Sequence, residues 1–167
     1  DKHYILYDDV VHIPLLVVWP GHARAGHIEK RFSEATLDLA PTLLDACGLE
    51  KPDFLQGESL LPLLEGKTPR HWRKEAYASY NGQQFGLYVQ RMLRGERYKY
   101  IWNPTDVDEL YDLQNDPGEL KNLIYDPALA DYVADARKRL VQTLERVQDP
   151  LLNSPWLKKQ LMTNHKL

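Results

Sequence analysis

The spacing of apolar and polar positions changes rhythm several times along the chain. Val10 to Trp19 (VVHIPLLVVW) is nearly continuous in apolar residues and ends at Pro20-Gly21. A run apolar on both faces predicts a strand buried inside a larger sheet. Pro14 cannot donate to a ladder, which places the regular part at Leu15 to Trp19. Thr36 to Cys47 (TLDLAPTLLDAC) has helical spacing, with Asp38 or Thr36 as cap, Pro41 in the first turn and Gly48 as a left-handed stop. A short helical turn is expected around Ser59 to Leu64.

From Glu75 the period becomes two. Ala76, Ala78 and Tyr80 alternate with Tyr77 and Ser79. Leu87, Val89, Arg91 and Leu93 alternate with Tyr88, Gln90 and Met92. Tyr98, Tyr100 and Trp102 share one face, against Arg97, Lys99 and Ile101. Gly95-Glu96 predicts a two-residue type II′ hairpin between the last two runs. Glu109 to Leu113 adds a fourth strand, and Asp116-Pro117-Gly118-Glu119 suits a type II turn. These runs make an antiparallel meander. Asp126 and Pro127 then open a helix to about Gln148, whose stripe of Leu129, Val133, Ala136, Leu140, Leu144 and Val147 would cover it. Pro155 to Met162 is expected to add one or two helical turns.

Composition narrows the classes without choosing among them. The chain has 167 residues, 43% apolar and 27% charged, with a formal net charge of −3. That is globular and not basic enough to make nucleic acid the main partner. The apolar run at Ile13 to Trp19 falls far short of the roughly 20 residues a membrane span requires. A lone cysteine, Cys47, excludes an internal disulfide and lies on the apolar side of its predicted helix, where a buried core thiol is expected. The opening at Asp1, running quickly into an apparent core strand, reads as a piece of a longer polypeptide.

Four stretches in order resemble the C-terminal third of the sulfatase family within the alkaline-phosphatase-like superfamily. They are Leu37-Asp38-Leu39-Ala40-Pro41-Thr42-Leu43-Leu44-Asp45; Gln56-Gly57-Glu58-Ser59-Leu60 and on to Leu64; Arg91 to Tyr100 (RMLRGERYKY); and Glu109-Leu110-Tyr111-Asp112-Leu113 with Asp116-Pro117, Glu119, Asn122 and Leu123. Turn, cap and core residues dominate them, which points to a structural role. The resemblance implies an α+β fold. A four-stranded antiparallel meander covered by a C-terminal helix would follow the last strand and helix of a truncated large α/β domain. The expected division is 1–70, 71–148 and a tail over 149–167.

The same resemblance implies a chemistry. The parent would hydrolyse sulfate esters with a formylglycine, made from a Cys/Ser-x-Pro-x-Arg motif, and a calcium ion. Displacement at sulfur needs positive charge where oxygen charge develops. Neither the motif nor the family's metal ligands occur in this sequence, so the chain alone is expected to be inactive and to hold no cofactor. Lys2, preceding Tyr7-Asp8-Asp9 and Pro14, is the residue carried over as catalytic, donating to the sulfate oxygens. His3 is adjacent and could line the site. Tyr80 to Phe85 forms a polar loop whose Asn81, Gln83 and Gln84 suit hydrogen bonding to substrate. Asp8 and Asp9 read as structural. His12 stands where the family usually has arginine, which puts the local ion pair in doubt. His22, His27, His71 and His165 show no metal-ligand spacing. The Tyr98, Tyr100 and Trp102 stripe is read as core rather than as a stacking platform.

Two rivals stay open: a phosphate or phosphonate ester hydrolase of the same superfamily, and a non-catalytic binding or assembly module. With its sheet neighbours missing, the Leu15 to Trp19 segment is expected to drive self-association of the isolated chain.

Overall fold

In the computed structural model, residues 5–82 and 88–163 are described. The chain forms two compact units, one built from the segment up to Ile13 together with Tyr77 onward, the other from Pro14 to Ala76. Leu87 and His165 lie outside the described residues.

The first unit contains the meander: β1 (Ala76–Asn81), β2 (Val89–Arg94), β3 (Tyr98–Trp102) and β4 (Glu109–Asp112), side by side in chain order. Pairing is antiparallel, with Leu93 opposite Tyr100 and Tyr100 opposite Leu110. Alternation sends Leu93, Tyr100, Trp102 and Leu110 to one face. There they pack with Val133, Ala136, Leu140 and Leu144 of the long helix (Ala130–Arg146) and with Leu161 of the last one. The aromatic stripe is therefore core. Met92, Ile101 and Tyr111 face the other way and pack on Leu6, Tyr7 and Val11. Both faces of the sheet are covered, the second by Leu6 to Val11, whose last four residues form a single helical turn, α1 (Asp8–Val11).

The long helix is entered as expected. Asp126 accepts a hydrogen bond from the Ala128 amide at 2.9 Å, and Pro127–Leu129 forms a 3₁₀ turn before the α-helix begins. Its exit is less ordinary. Gln148, not glycine, takes the left-handed conformation (φ 53°), and the Asp149 and Gln148 amides bond to the Leu144 and Glu145 carbonyls. A final helix runs from Pro155 to Thr163.

Both predicted turns differ in detail. The β2–β3 turn closes between Gly95 and Tyr98, so its central residues are Glu96 and Arg97, and neither Gly95 nor these two has a positive φ. That excludes type II′. In the Asp116–Glu119 turn the left-handed residue is Glu119 (φ 53°), not Gly118. Glycine would adopt that conformation at less cost, so the side chain of Glu119 must be held by something worth more.

In the second unit, α2 spans Ala35–Ala46 and ends in the expected Gly48 stop (φ 68°). Pro41 sits in the helix interior rather than its first turn. The amide that proline lacks would have bonded the Leu37 carbonyl, and Gly57 passes so close to that carbonyl that a Cβ would collide with it. Asp38 is fully buried and is no simple cap. Its carboxylate accepts from the Glu34 and Glu58 amides and takes both Arg73 guanidinium nitrogens, at 2.6 and 2.8 Å. Thr42 accepts from the Leu60 amide at 2.8 Å, just before α3 (Leu61–Leu64). The first two motifs thus hold one another in place.

Two expectations fail here. Leu15 to Trp19 forms no strand: among the described residues nothing pairs with it, and Leu16 and Val18 are 87% and 80% exposed. A buried strand needs ladder partners and covered faces, and this chain offers it neither. Cys47 is exposed rather than buried, because it lies past the end of α2 in a stretch that is itself exposed from Asp45 to Lys51.

Deleting Leu140, which is completely buried under the sheet, is expected to cost about 2–5 kcal/mol as Leu140→Ala. Leu120→Ala, at a residue 90% exposed, should stay within about 0.5 kcal/mol of the parent sequence. Urea denaturation checks both.

Candidate functional site

Of the residues the sequence nominates, Lys2, His3, Gln83 and Gln84 lie outside the described residues. Asn81 is the last residue of β1 and is exposed. It alternates with Tyr80, which packs on the side covered by the start of the chain, so Asn81 belongs to the opposite face. The Gly82 amide bonds to the Tyr88 carbonyl at 2.7 Å and closes the base of the connection that carries Gln83 and Gln84.

The segment that follows Lys2 is held by charge. Lys99 projects from β3 with its side chain fully buried. Its ammonium meets Asp8 at 2.5 Å, Glu119 at 2.7 Å and the Leu6 carbonyl at 3.1 Å. Arg94, in β2, pairs with Asp8 at 2.9 Å. The other Glu119 oxygen accepts the Asp8 backbone amide at 2.6 Å. Burial alone would raise the Asp8 carboxyl, but hydrogen bonds and charge from Arg94 and Lys99 outweigh it and hold the group below its ordinary range. This cluster is what keeps Glu119 left-handed. Sequence reading placed Lys99 on the face opposite Tyr98, Tyr100 and Trp102, with Arg97 and Ile101, and missed the pairing. The available signal was a lysine between two aromatics in a strand with apolar residues on both faces.

Farther along the same face, Tyr111 donates to Glu109 at 2.7 Å and its ring meets Tyr7 edge-on, with centroids 5.7 Å apart. Asn103 donates to Glu109 at 2.9 Å and accepts from Gln90 at 2.8 Å. Burial, followed by the charges of Asp106 and Glu109, raises the Tyr88 hydroxyl above its ordinary range. Tyrosine hydroxyls and amides gather here beside the β1–β2 connection.

On the helix-covered face a second buried cation, Arg91, binds Asp149 through two nitrogens at 2.6 and 3.2 Å, and Tyr77 donates to the same carboxylate at 3.1 Å. Asp149 also accepts the Leu151 amide, capping the Pro150–Asn153 turn.

The described residues do not suit a metal ion. No three His, Cys, Asp or Glu side chains gather among them. Asp8, Asp38, Asp108, Asp112, Asp149 and Glu119 are each engaged by a cation of this chain. A cleft of about 200 Å³ in the second unit has Lys51 and Ser59 in its lining. There Lys51 donates to the Gly57 carbonyl and Ser59 to Asp45.

The family model for N-sulphoglucosamine sulphohydrolase, C-terminal, matches residues 1–146, and the chain belongs to that family. An N-acetylglucosamine-6-O-sulfatase from Bacteroides thetaiotaomicron is 38% identical over 154 residues, which covers 89% of this chain and 26% of the relative. A Delta 4,5-hexuronate-2-O-sulfatase from the same organism is 32% identical over 151 residues, covering 89% and 31%. The crystal structure of a phosphonate monoester hydrolase from Silicibacter pomeroyi superposes with a TM-score of 0.70 at 29% identity, over 78% of this chain and 28% of that one. The chain thus spans 26% to 31% of the length of these relatives.

The ion pairs set a pH dependence. Burial raises the Asp149 carboxyl, but the hydrogen bond and charge of Arg91 and the Leu151 amide prevail, so it too is held low. Carboxyls depressed in the folded state bind fewer protons there than in the unfolded chain. Their stabilisation is complete above the unfolded value of about 3.9 and is lost as pH falls through the folded value. The urea midpoint is expected to stay flat from about pH 7 to 5 and to fall below about pH 4. Asp149→Asn should lower the midpoint at neutral pH and make the acid loss shallower.

Proposed function

We propose that this chain is the C-terminal part of an enzyme that hydrolyses sulfate esters, and that it contributes a sulfate-binding lysine and part of the substrate rim. The observation that carries the reading is the family match over residues 1–146, which includes Lys2 and the polar loop. In this reading Lys2 donates to the sulfate oxygens and steadies the leaving oxygen as negative charge develops on it. His3, Asn81, Gln83 and Gln84 hydrogen-bond the alcohol portion. The formylglycine nucleophile and the calcium ion belong to the rest of the parent, and the isolated chain is inactive.

A phosphonate or phosphate ester hydrolase is the second reading, supported by the likeness to the phosphonate monoester hydrolase. Sulfate and phosphonate esters share tetrahedral geometry, and a lysine serves either. An aryl sulfate and an aryl phosphonate monoester offered in parallel to the intact parent separate the two by relative kcat/KM.

In the intact parent, Lys2→Ala is expected to lower kcat/KM on an aryl sulfate by about 10²–10³-fold. An unchanged rate would remove Lys2 from the site, and turnover by the isolated chain would overturn its assignment as an inactive part. The isolated chain is also proposed to self-associate through Leu15 to Trp19, where Leu16 and Val18 stand open. Sedimentation should show mass rising with concentration, and Leu16→Lys with Val18→Lys should abolish the rise. A monomer at every concentration counts against this proposal.

A further inference from the structure

The same face of the meander that closes over the chain's beginning also fixes where that beginning goes. Lys99 reaches through the sheet face to a carbonyl and a carboxylate of one short segment, Leu6 and Asp8. Glu119, paired with Lys99 at 2.7 Å, holds the same segment by accepting the Asp8 amide. Leu6 and Val11 are seated on Met92, Ile101 and Tyr111 beside these polar anchors. The segment therefore has a fixed position, direction and depth on the sheet. Three residues lie between Lys2 and Leu6, and the four steps of chain from one to the other reach at most about 14 Å.

We infer that Lys99, with Glu119 and Asp8, is a positioning device for the substrate-contacting beginning of the chain, acting on Lys2 through the Leu6–Asp8 backbone. This rests on the reading of Lys2 as the sulfate-binding lysine. A purely structural ion pair could be satisfied by side chains alone. Here two of the contacts fall on backbone atoms of the segment, the Leu6 carbonyl and the Asp8 amide, and backbone contacts fix register. Lys99 donates to the first, and Glu119 accepts from the second from a left-handed position that a non-glycine residue adopts only at a cost. Catalysis by an oriented donor is sensitive to small displacements, and about 1 Å can cost on the order of 10²-fold in rate.

The test uses the intact parent enzyme carrying Lys99→Met, Glu119→Gln, Lys2→Ala and the doubles with Lys2→Ala. Glu119→Gln keeps the shape and remains informative if Lys99→Met fails to fold. Expected are a fall in kcat on the order of tenfold with KM changed far less, and faster hydrogen exchange at the amides of Val10, Val11 and His12. In the Lys2→Ala background the same substitutions should cost little more, because the lysine they position is gone. Losses that add in full to those of Lys2→Ala, or unchanged exchange in this segment, would overturn the inference. If Lys2→Ala alone has no effect, the sulfate-binding reading of Lys2 fails. Faster exchange would then support the clamp as an anchor of the segment, and unchanged exchange would reject it.

Discussion

Burying a cation inside a small protein is the constraint from which most of this fold follows. An ammonium or guanidinium out of water is tolerated only when carboxylates and carbonyls replace its hydration. The meander buries one on each face, Lys99 toward the start of the chain and Arg91 toward the long helix. Each demands a partner that the neighbouring strands do not supply. Lys99 takes Asp8 from the beginning of the chain and Glu119 from the turn after β4. Arg91 takes Asp149, just past the end of the helix. The pairs thus connect points far apart in sequence. Among the described residues, the two non-glycine ones in the left-handed conformation are Glu119 and Gln148, one a partner and the other adjacent to one. Backbone strain is accepted where it delivers a carboxylate.

The two units meet their burial needs differently. The meander unit has a core on each sheet face, each closed by residues of the same unit. In the unit spanning Pro14 to Ala76, polar contacts to Asp38 and Thr42 do much of the organising, while Leu16, Val18, Ile28, Leu43 and Phe54 remain exposed. A segment this apolar and this open is expected where further chain would cover it. The chain's share of its relatives' length agrees with that view.

Legibility in the sequence followed the range of the interaction. The meander and the helix over it were readable because period two and period 3.6 are local signals repeated over many residues, as in Tyr98, Tyr100 and Trp102 or Val133, Leu140 and Leu144. The Asp126 cap and the Gly48 stop were readable for the same reason. Turn conformations were not, because Glu119 is set by Lys99 twenty residues away and Gly95 merely precedes its turn. Leu15 to Trp19 carries a true strand composition, but strand formation is a property of partners. Cys47 was misjudged because an apolar helix side is buried only if something packs on it. At the site, Asn81 alone among the nominated residues falls within the described structure, and the Lys99 cluster was legible only as an oddity, a lysine amid apolar neighbours.

The charge balance of the clamp bears on the chemistry proposed for Lys2. Lys99 and Arg94 contribute two positive charges, and Asp8 and Glu119 two negative ones, all within ion-pair distance. Such a cluster has little net field at the distance of a bound ester, since opposite charges a few ångströms apart largely cancel beyond that range. It can therefore order the beginning of the chain without adding to the attraction for an anion or opposing it. In the proposed reading, attraction of a sulfate is left to groups that touch it. A positioning network built from one sign would have changed the affinity as well as the geometry, whereas a neutral one confines its effect to geometry, where a donor aimed at developing negative charge is most sensitive.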